Sequence, residues 1–441
     1  MLSIFFSAWR HWPGAIAIAL VGWASLPIVA WAQLSPVLLD LFLSDPELTE
    51  PRDPLLPELP IVRPLSPLEK LALEAELDRL AIEAEQLFLE GQTELAFVEW
   101  MREVRLRRIL GYEEEIAAIQ RVGLRAWENS RGEETQLLAI RLRQIQTDLL
   151  DDEPLNIELL EEVAVAFEVL RDIDAAIAVY ETLIVRATQA GDREERQRLL
   201  ENLARLQATW FRFAVAAETY QTLLSSLGSN GDDVKEVEYL KGAIQNYQAA
   251  GEVRTAITYQ RRLARKYEQT AQPLPIPPLL LAIARNYRNL DNLAQAQNFY
   301  TTTYSIALSQ RQTDVASDAL QDLAEIYLEQ DQPEDVFYLY QQRLAVERLS
   351  YNGYGLMDTF DQIGQLYEVQ DDPSAAISAY KEALIVAEHL NYRDAYFKLK
   401  LLQLLLAEER LTVPTLEQHL ANPRRALRDP DYWQGNRQQK R

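Results

Sequence analysis

The 441-residue chain has no cysteine, only three histidines and only three methionines. Without cysteine there is no disulfide, thiolate zinc site, cysteine nucleophile or lipidated cysteine of the bacterial lipoprotein kind. Of the histidines, His11 lies near the N-terminus, and neither His389 nor His419 stands in a Ser, Cys or Asp arrangement that would mark a triad. There is no P-loop, no dinucleotide fingerprint and no H-E-x-x-H. Positive charge is also short. Lys and Arg total 44 against 67 Asp and Glu, a formal charge of -23, and phosphate binding needs a basic surface, so a nucleic-acid partner is disfavoured. Carboxylates are so abundant that neighbours such as Glu114 and Glu115 read as solvated helix faces, not as an acid–base pair. Together these absences point to a protein that is not an enzyme and takes no cofactor and no metal.

What is present begins with ordinary globular composition, 48% hydrophobic and 25% charged. Arg10 and His11 precede an uncharged run from Trp12 that contains "GAIAIALVGWASLPIVA", and Ala30-Trp31-Ala32 supplies an A-x-A cleavage site. This predicts a signal peptide over 1–32, cleavage after Ala32 and an extracytoplasmic mature chain, in the periplasm or an equivalent lumen, beginning at Gln33. The competing reading is an uncleaved anchor, since an uncharged segment of this length could just span a bilayer.

Prolines at 46, 51, 54, 57, 60, 64 and 67 mark residues 33–70 as a Pro-rich linker, because proline fixes φ and donates no backbone hydrogen bond. A polyproline ligand is the second reading of the same stretch.

From Leu71 the pattern is helical without sustained strand alternation, so the fold class is all-α. The chain repeats itself every 40 residues. One stripe of small and aromatic positions runs through Ala84, Ala164 with Phe167, Ala204, Tyr247, Ala284 with Tyr287, Ala324 with Tyr327, and Gly364 with Tyr367. A second runs through Ala96 with Trp100, Ala176 with Tyr180, Ala216 with Tyr220, Ala256, Ala296 with Tyr300, Tyr340, and Ala376 with Tyr380 and Ala383. The register is broken at Gln260, where the aromatic is displaced to Tyr259, and the unit around Leu124, Trp127, Gln136 and Ile140 is weak. Gly, Asp and Asn between the two stripes predict a turn, so each unit is a helical hairpin.

A small residue at position 8, an aromatic at 11, Gly or Asp at 15, Ala at 20 and an aromatic at 24 resembles the tetratricopeptide repeat. The 40-residue period, longer than the usual 34 or so, is similar to the long-helix variety of kinesin light chains. The resemblance covers about residues 77–396. It implies a right-handed α-solenoid of about eight stacked hairpins at 71–396, followed by capping helices at 397–422 and a basic tail at 423–441. The tail reads as flexible, with contact to anionic lipid or an acidic partner as the second reading.

The resemblance also implies that the first helix of each hairpin lines a concave groove. Carrying over its groove positions gives Arg198, Arg205, Lys241, Gln245, Arg285, Arg288 and Asn289 as a polar and basic centre. Glu158, Glu161 and Glu168 lie on one side of it, and Asp318, Glu325, Glu329, Asp358 and Asp361 on the other. The expected function is an exported, non-enzymatic scaffold that holds a protein or peptide in the groove, with an acidic or C-terminal carboxylate segment as the recognised feature. The alternative is a structural part of an envelope assembly or export apparatus held by the uncleaved anchor. The plain reading of the same charges is that they keep a helix face wet.

Overall fold

The computed structural model describes residues 34–49, 51–57, 63–151, 154–228 and 232–407. The segment read as a signal peptide or anchor and the basic tail lie outside them, as does most of the predicted capping region. Among the described residues no helix is long and apolar enough to cross a membrane, and there is no strand.

Eighteen helices are described. After α1 (Pro36–Leu43) they form antiparallel pairs in sequence order: α2 (Pro67–Leu89) with α3 (Thr93–Arg107), α4 (Tyr112–Glu128) with α5 (Gly132–Asp151), α6 (Ile157–Val169) with α7 (Ile173–Ala190), and α8 (Arg193–Thr209) with α9 (Phe213–Ser226). The order continues with α10 (Asp233–Ala249) and α11 (Val253–Gln269), α12 (Ile276–Asn289) and α13 (Leu293–Ser309), α14 (Thr313–Glu329) and α15 (Pro333–Leu349), α16 (Gly353–Val369) and α17 (Pro373–Leu390), then α18 (Asp394–Ala407). The chain divides into two compact units, 1–183 and 184–441.

A backbone device spaced at 40 residues stops the first helices. A residue with positive φ recurs at Arg171, Phe211, Gly251, Asp291, Asp331 and Asp371. Just beyond it an amide reaches back five residues, Arg212 to Gln207, Glu252 to Tyr247, Asn292 to Tyr287, Gln332 to Tyr327 and Asp372 to Tyr367. These bonds satisfy carbonyls that the helix end would otherwise leave open. In the turns at Asn292 and Asp372 a side chain also caps the next helix: Asn292 accepts from Gln295 N at 3.3 Å and Asp372 from Ala375 N at 2.9 Å. A second series of left-handed residues, Ala271, Arg311, Tyr351 and Asn391, closes the second helices.

Tyr351 holds φ 57° with 94% of its surface exposed, so it carries the cost of a left-handed side chain without a packing gain. Tyr351→Gly is therefore expected to stabilise the fold by roughly 0.5–1 kcal/mol, read as a higher urea midpoint. A lower midpoint would mean that the ring makes a contact that matters.

Packing follows the two stripes. Ala204, Ala216, Ala256, Ala284, Ala296, Ala324, Ala376 and Ala383 are fully buried, as are Tyr300 and Tyr380. Tyr247 and Tyr340 are almost so, while Tyr220, Tyr287, Tyr327 and Tyr367 are half-buried. Gly364 lets Tyr380 lie flat on α16, because a Cβ there would stand 2.7 Å from the ring. In the first unit Ala84, Ala96, Trp100, Ala164, Phe167, Ala176 and Tyr180 are buried as well.

Two features depart from the sequence pattern. In α4 and α5 the register slips back by one residue, so Gly123 and Ala126 face inward while Leu124 and Trp127 are 45% and 48% exposed. Gly123 comes so close to α6 that a Cβ would meet Leu170 at 2.6 Å. The second feature is the Pro-rich stretch, whose described parts dock on the first hairpins. Leu56 and Leu65 are buried with Leu73, Leu77 and Leu106, Asp53 takes two bonds of 2.8 Å from Arg102, and Phe42 of α1 lies under Arg108. Proline keeps this segment out of helices but does not keep its leucines in water.

Candidate functional site

Within 184–441, the first helices α8, α10, α12 and α14 carry the residues read as the groove centre. Their second helices and small-residue stripes hold them side by side, so a side chain on one first helix can reach the next.

Arg285 and Arg288 use that reach inside the molecule. Arg285 Nε donates to Asp322 at 2.6 Å and its Nη2 to Asp318 at 3.3 Å. Arg288 donates to Glu325 at 2.5 Å and to Glu329 at 2.6 Å. All four carboxylates belong to α14, on the side that sequence reading treats as the acidic flank. Burial is the largest single influence on Arg285 and lowers its pKa, but the hydrogen bonds and charges of Asp322 and Asp318 together outweigh it and the net shift is upward. The bond to Glu325 likewise raises that of Arg288. Asp322 goes up too, because its own burial exceeds what Arg285 returns.

Arg198 is engaged on its own helix, with Glu195 at 2.5 Å. Arg205 and Lys241 differ from these three. Both are exposed, and among the described residues neither has an ion pair. The reason is legible in the spacing. Arg285–Asp322 and Arg288–Glu325 each span 37 residues; the carboxylate at the 33-residue step from Arg205, Glu238, makes no ion pair with it, and the 37-residue step reaches Gly242 from Arg205 and Pro278 from Lys241. Neither can pair with a cation. Gln245, Gln248 and Asn289 are exposed on the same helices.

Lys241 also stands at a cleft of about 350 Å³ between α10, α11 and α12. Gln245 and Gln248 share its rim, Ile244, Leu263, Tyr267 and Leu279 line it, and Pro275 and Pro278 close one end. Gln260 also lines it, 1% exposed, and its Oε1 accepts from Asn286 Nδ2 at 2.9 Å. Lys241 and Gln245 were expected at a binding surface from the groove positions. Gln260, Leu263, Tyr267 and the prolines were not, although the signal was there: Gln260 breaks the aromatic register, and "QPLPIPP" shortens the start of α12.

The repeat code thus sits where a hairpin array needs it, with small residues and rings at the helix–helix seams and polar residues facing outward. The fold is a tetratricopeptide-like helical repeat. No family model matches the chain, and no curated protein matches it. Among solved structures it is similar to BtubC from P. vanneervenii, at 14% identity and a TM-score of 0.34 over 50% of this chain and 92% of that one. It is also similar to a putative kinesin light chain with nearly identical TPR-like repeats from Podosopora anserina, at 17% and 0.30 over 44% and 97%. A third is the apo form of RapI, at 11% and 0.36 over 80% and 98%. Nothing about activity carries over at such identities and scores. The tetratricopeptide-like face of α8, α10 and α12 is described from its own residues.

Proposed function

We propose that this protein is a non-enzymatic interaction scaffold whose first-helix face around Arg205 and Lys241 binds an acidic segment of a protein partner. The observation that supports this is the pair of cations left without an internal partner on a face where Arg198, Arg285 and Arg288 are all engaged. On a chain of formal charge -23, two such cations form a local well for carboxylates, and complementarity of this kind sets orientation and encounter rate. The neighbouring amides Gln245, Gln248 and Asn289 offer hydrogen bonds to an extended backbone.

In this proposal the N-terminal segment is a signal peptide, and the scaffold works outside the cytoplasm. N-terminal sequencing of the processed protein would find Gln33 first; an intact Met1 would favour the anchored envelope component.

The binding claim is tested with fluorescent poly-glutamate and anisotropy. Wild-type protein is expected to bind in a salt-sensitive way, and Arg205→Glu with Lys241→Glu to weaken binding about tenfold or more while helical circular dichroism is unchanged. Equal affinity of the two proteins would overturn the proposal.

A further inference from the structure

We propose that α1 and the turn after it form a membrane-contact surface that lies on a lipid bilayer of net-neutral headgroups. This goes beyond the reading of the first-helix face and does not depend on it.

α1 is apolar all round. Of its eight residues only Asp40 is polar, and such a helix is ordinarily buried in a core or held in lipid. Its inner side is covered: Phe42 is buried under the Arg108 guanidinium, 4.9 Å from the ring centroid, and Leu39 and Leu43 are half-buried. Its outer side is open. Val37, Leu38 and Leu41, which the helical period places on one face, are 75%, 44% and 48% exposed, and Leu48 in the turn that follows is 74% exposed. Isolated exposed leucines are normal on a protein surface, but four large apolar side chains between Val37 and Leu48 are too dense for that.

The exposure is not a matter of slack chain. Ser44 Oγ donates to Leu41 O at 2.8 Å, Thr49 Oγ1 donates to Asp45 O at 2.6 Å, and Arg105 Nη2 reaches from α3 to Ser44 Oγ at 3.2 Å. Pro46 is buried. These contacts tie α1 and its turn to the first hairpin, so the apolar side is held outward.

What precedes α1 in the sequence selects lipid as the partner. The uncharged run that begins at Trp12 continues to Leu39, with Trp31 close to Ala32. As a signal peptide or as an anchor, such a run is engaged by a membrane, and tryptophan suits the interface. Four residues lead from Ala32 to Pro36, a reach of at most about 14 Å, so α1 stays close to the bilayer that takes the run. At 1.5 Å per residue α1 is about 12 Å long, too short to span but able to lie in the interface with Val37, Leu38 and Leu41 downward. Asp40, Asp45 and Glu47 flank these residues on a chain of formal charge -23, and the cation Arg102 is taken by Asp53. Anionic headgroups would therefore repel the surface, and neutral ones match it.

The test uses the processed protein starting at Gln33, which removes the run itself, in sedimentation with sucrose-loaded phosphatidylcholine vesicles. Half of the protein is expected to sediment at about 1 mM lipid, roughly tenfold weaker than a single myristoyl chain achieves. Val37→Gln, Leu38→Gln, Leu41→Gln and Leu48→Gln together should weaken binding about fivefold or more, with helical circular dichroism unchanged because these side chains face solvent. Adding phosphatidylglycerol should weaken binding of the wild type. No sedimentation of the wild type, or equal sedimentation of the quadruple variant, would overturn the proposal. So would binding that rises with phosphatidylglycerol and is lost on deleting 423–441, which would assign the contact to the basic tail. A dimer in light scattering that the quadruple variant abolishes would overturn it too, by assigning the leucines to a second copy. Poly-glutamate affinity should be the same with and without the four substitutions, so this surface and the acidic-segment reading stand or fall separately.

Discussion

Tyr380→Ala is expected to destabilise the second unit by about 3–5 kcal/mol, the range for removing a large buried aromatic. The ring is fully buried, lies on Gly364 at a distance no Cβ would permit, and has Lys400 Nζ 5.5 Å from its centroid. Its hydroxyl donates to Glu368, and burial followed by that bond pushes its pKa well up. Glu368 also accepts from Lys400 at 3.0 Å. Removing only the hydroxyl, in Tyr380→Phe, therefore leaves the carboxylate a partner and costs about 1 kcal/mol. Urea denaturation followed by circular dichroism measures both. A loss below about 1 kcal/mol in Tyr380→Ala would show that the seam is held by something other than the ring and the glycine it rests on.

The second large effect is a gain of binding. Asp322→Asn, Glu325→Gln and Glu329→Gln together release Arg288 from its carboxylates on α14 and leave Arg285 only Asp318, 3.3 Å away, which strengthens the positive charge of the face that already carries Arg205 and Lys241. Affinity for poly-glutamate should rise about tenfold at low salt, with the gain shrinking as salt is added. Stability should change little, because most of these pairs are exposed and exposed ion pairs contribute little. Asp322 is the most buried of the three carboxylates, with 16% of its side chain exposed. Since burial already disfavours its charge, the neutral amide is a mild replacement there.

These two expectations show which parts of the molecule its sequence discloses. The alternation that places Ala376 four residues before Tyr380 announces a helix seam, because helical periodicity and close packing act locally and repeat with the chain. The left-handed stops were visible where they are Gly, Asp or Asn, as at Gly251, Asp291 and Asp371. They were hidden at Phe211 and Tyr351, whose side chains carry no preference for that backbone. The one-residue slip at α4 was hidden for another reason. Leu124 and Trp127 satisfy the pattern by type, yet Gly123 is what lets α6 approach.

The candidate site was legible only in part. Groove positions named Arg285, Arg288 and Lys241 alike, since spacing along one helix says nothing about what the next helix offers. The 37-residue step that separates paired from unpaired cations is a property of two packed hairpins. Once it is known from Arg285 and Asp322, it can be read back onto Arg205 and Lys241. Gln260 is the converse case, a departure from the code that marks a place where packing is incomplete.

The most direct test of the account is a single poly-glutamate titration of three proteins: the wild type, the Arg205→Glu and Lys241→Glu double variant, and the triple variant that releases Arg288 and loosens Arg285. The account predicts that affinity is lowest in the double variant, intermediate in the wild type and highest in the triple variant. Three indistinguishable affinities, or tighter binding by the double variant, would contradict it.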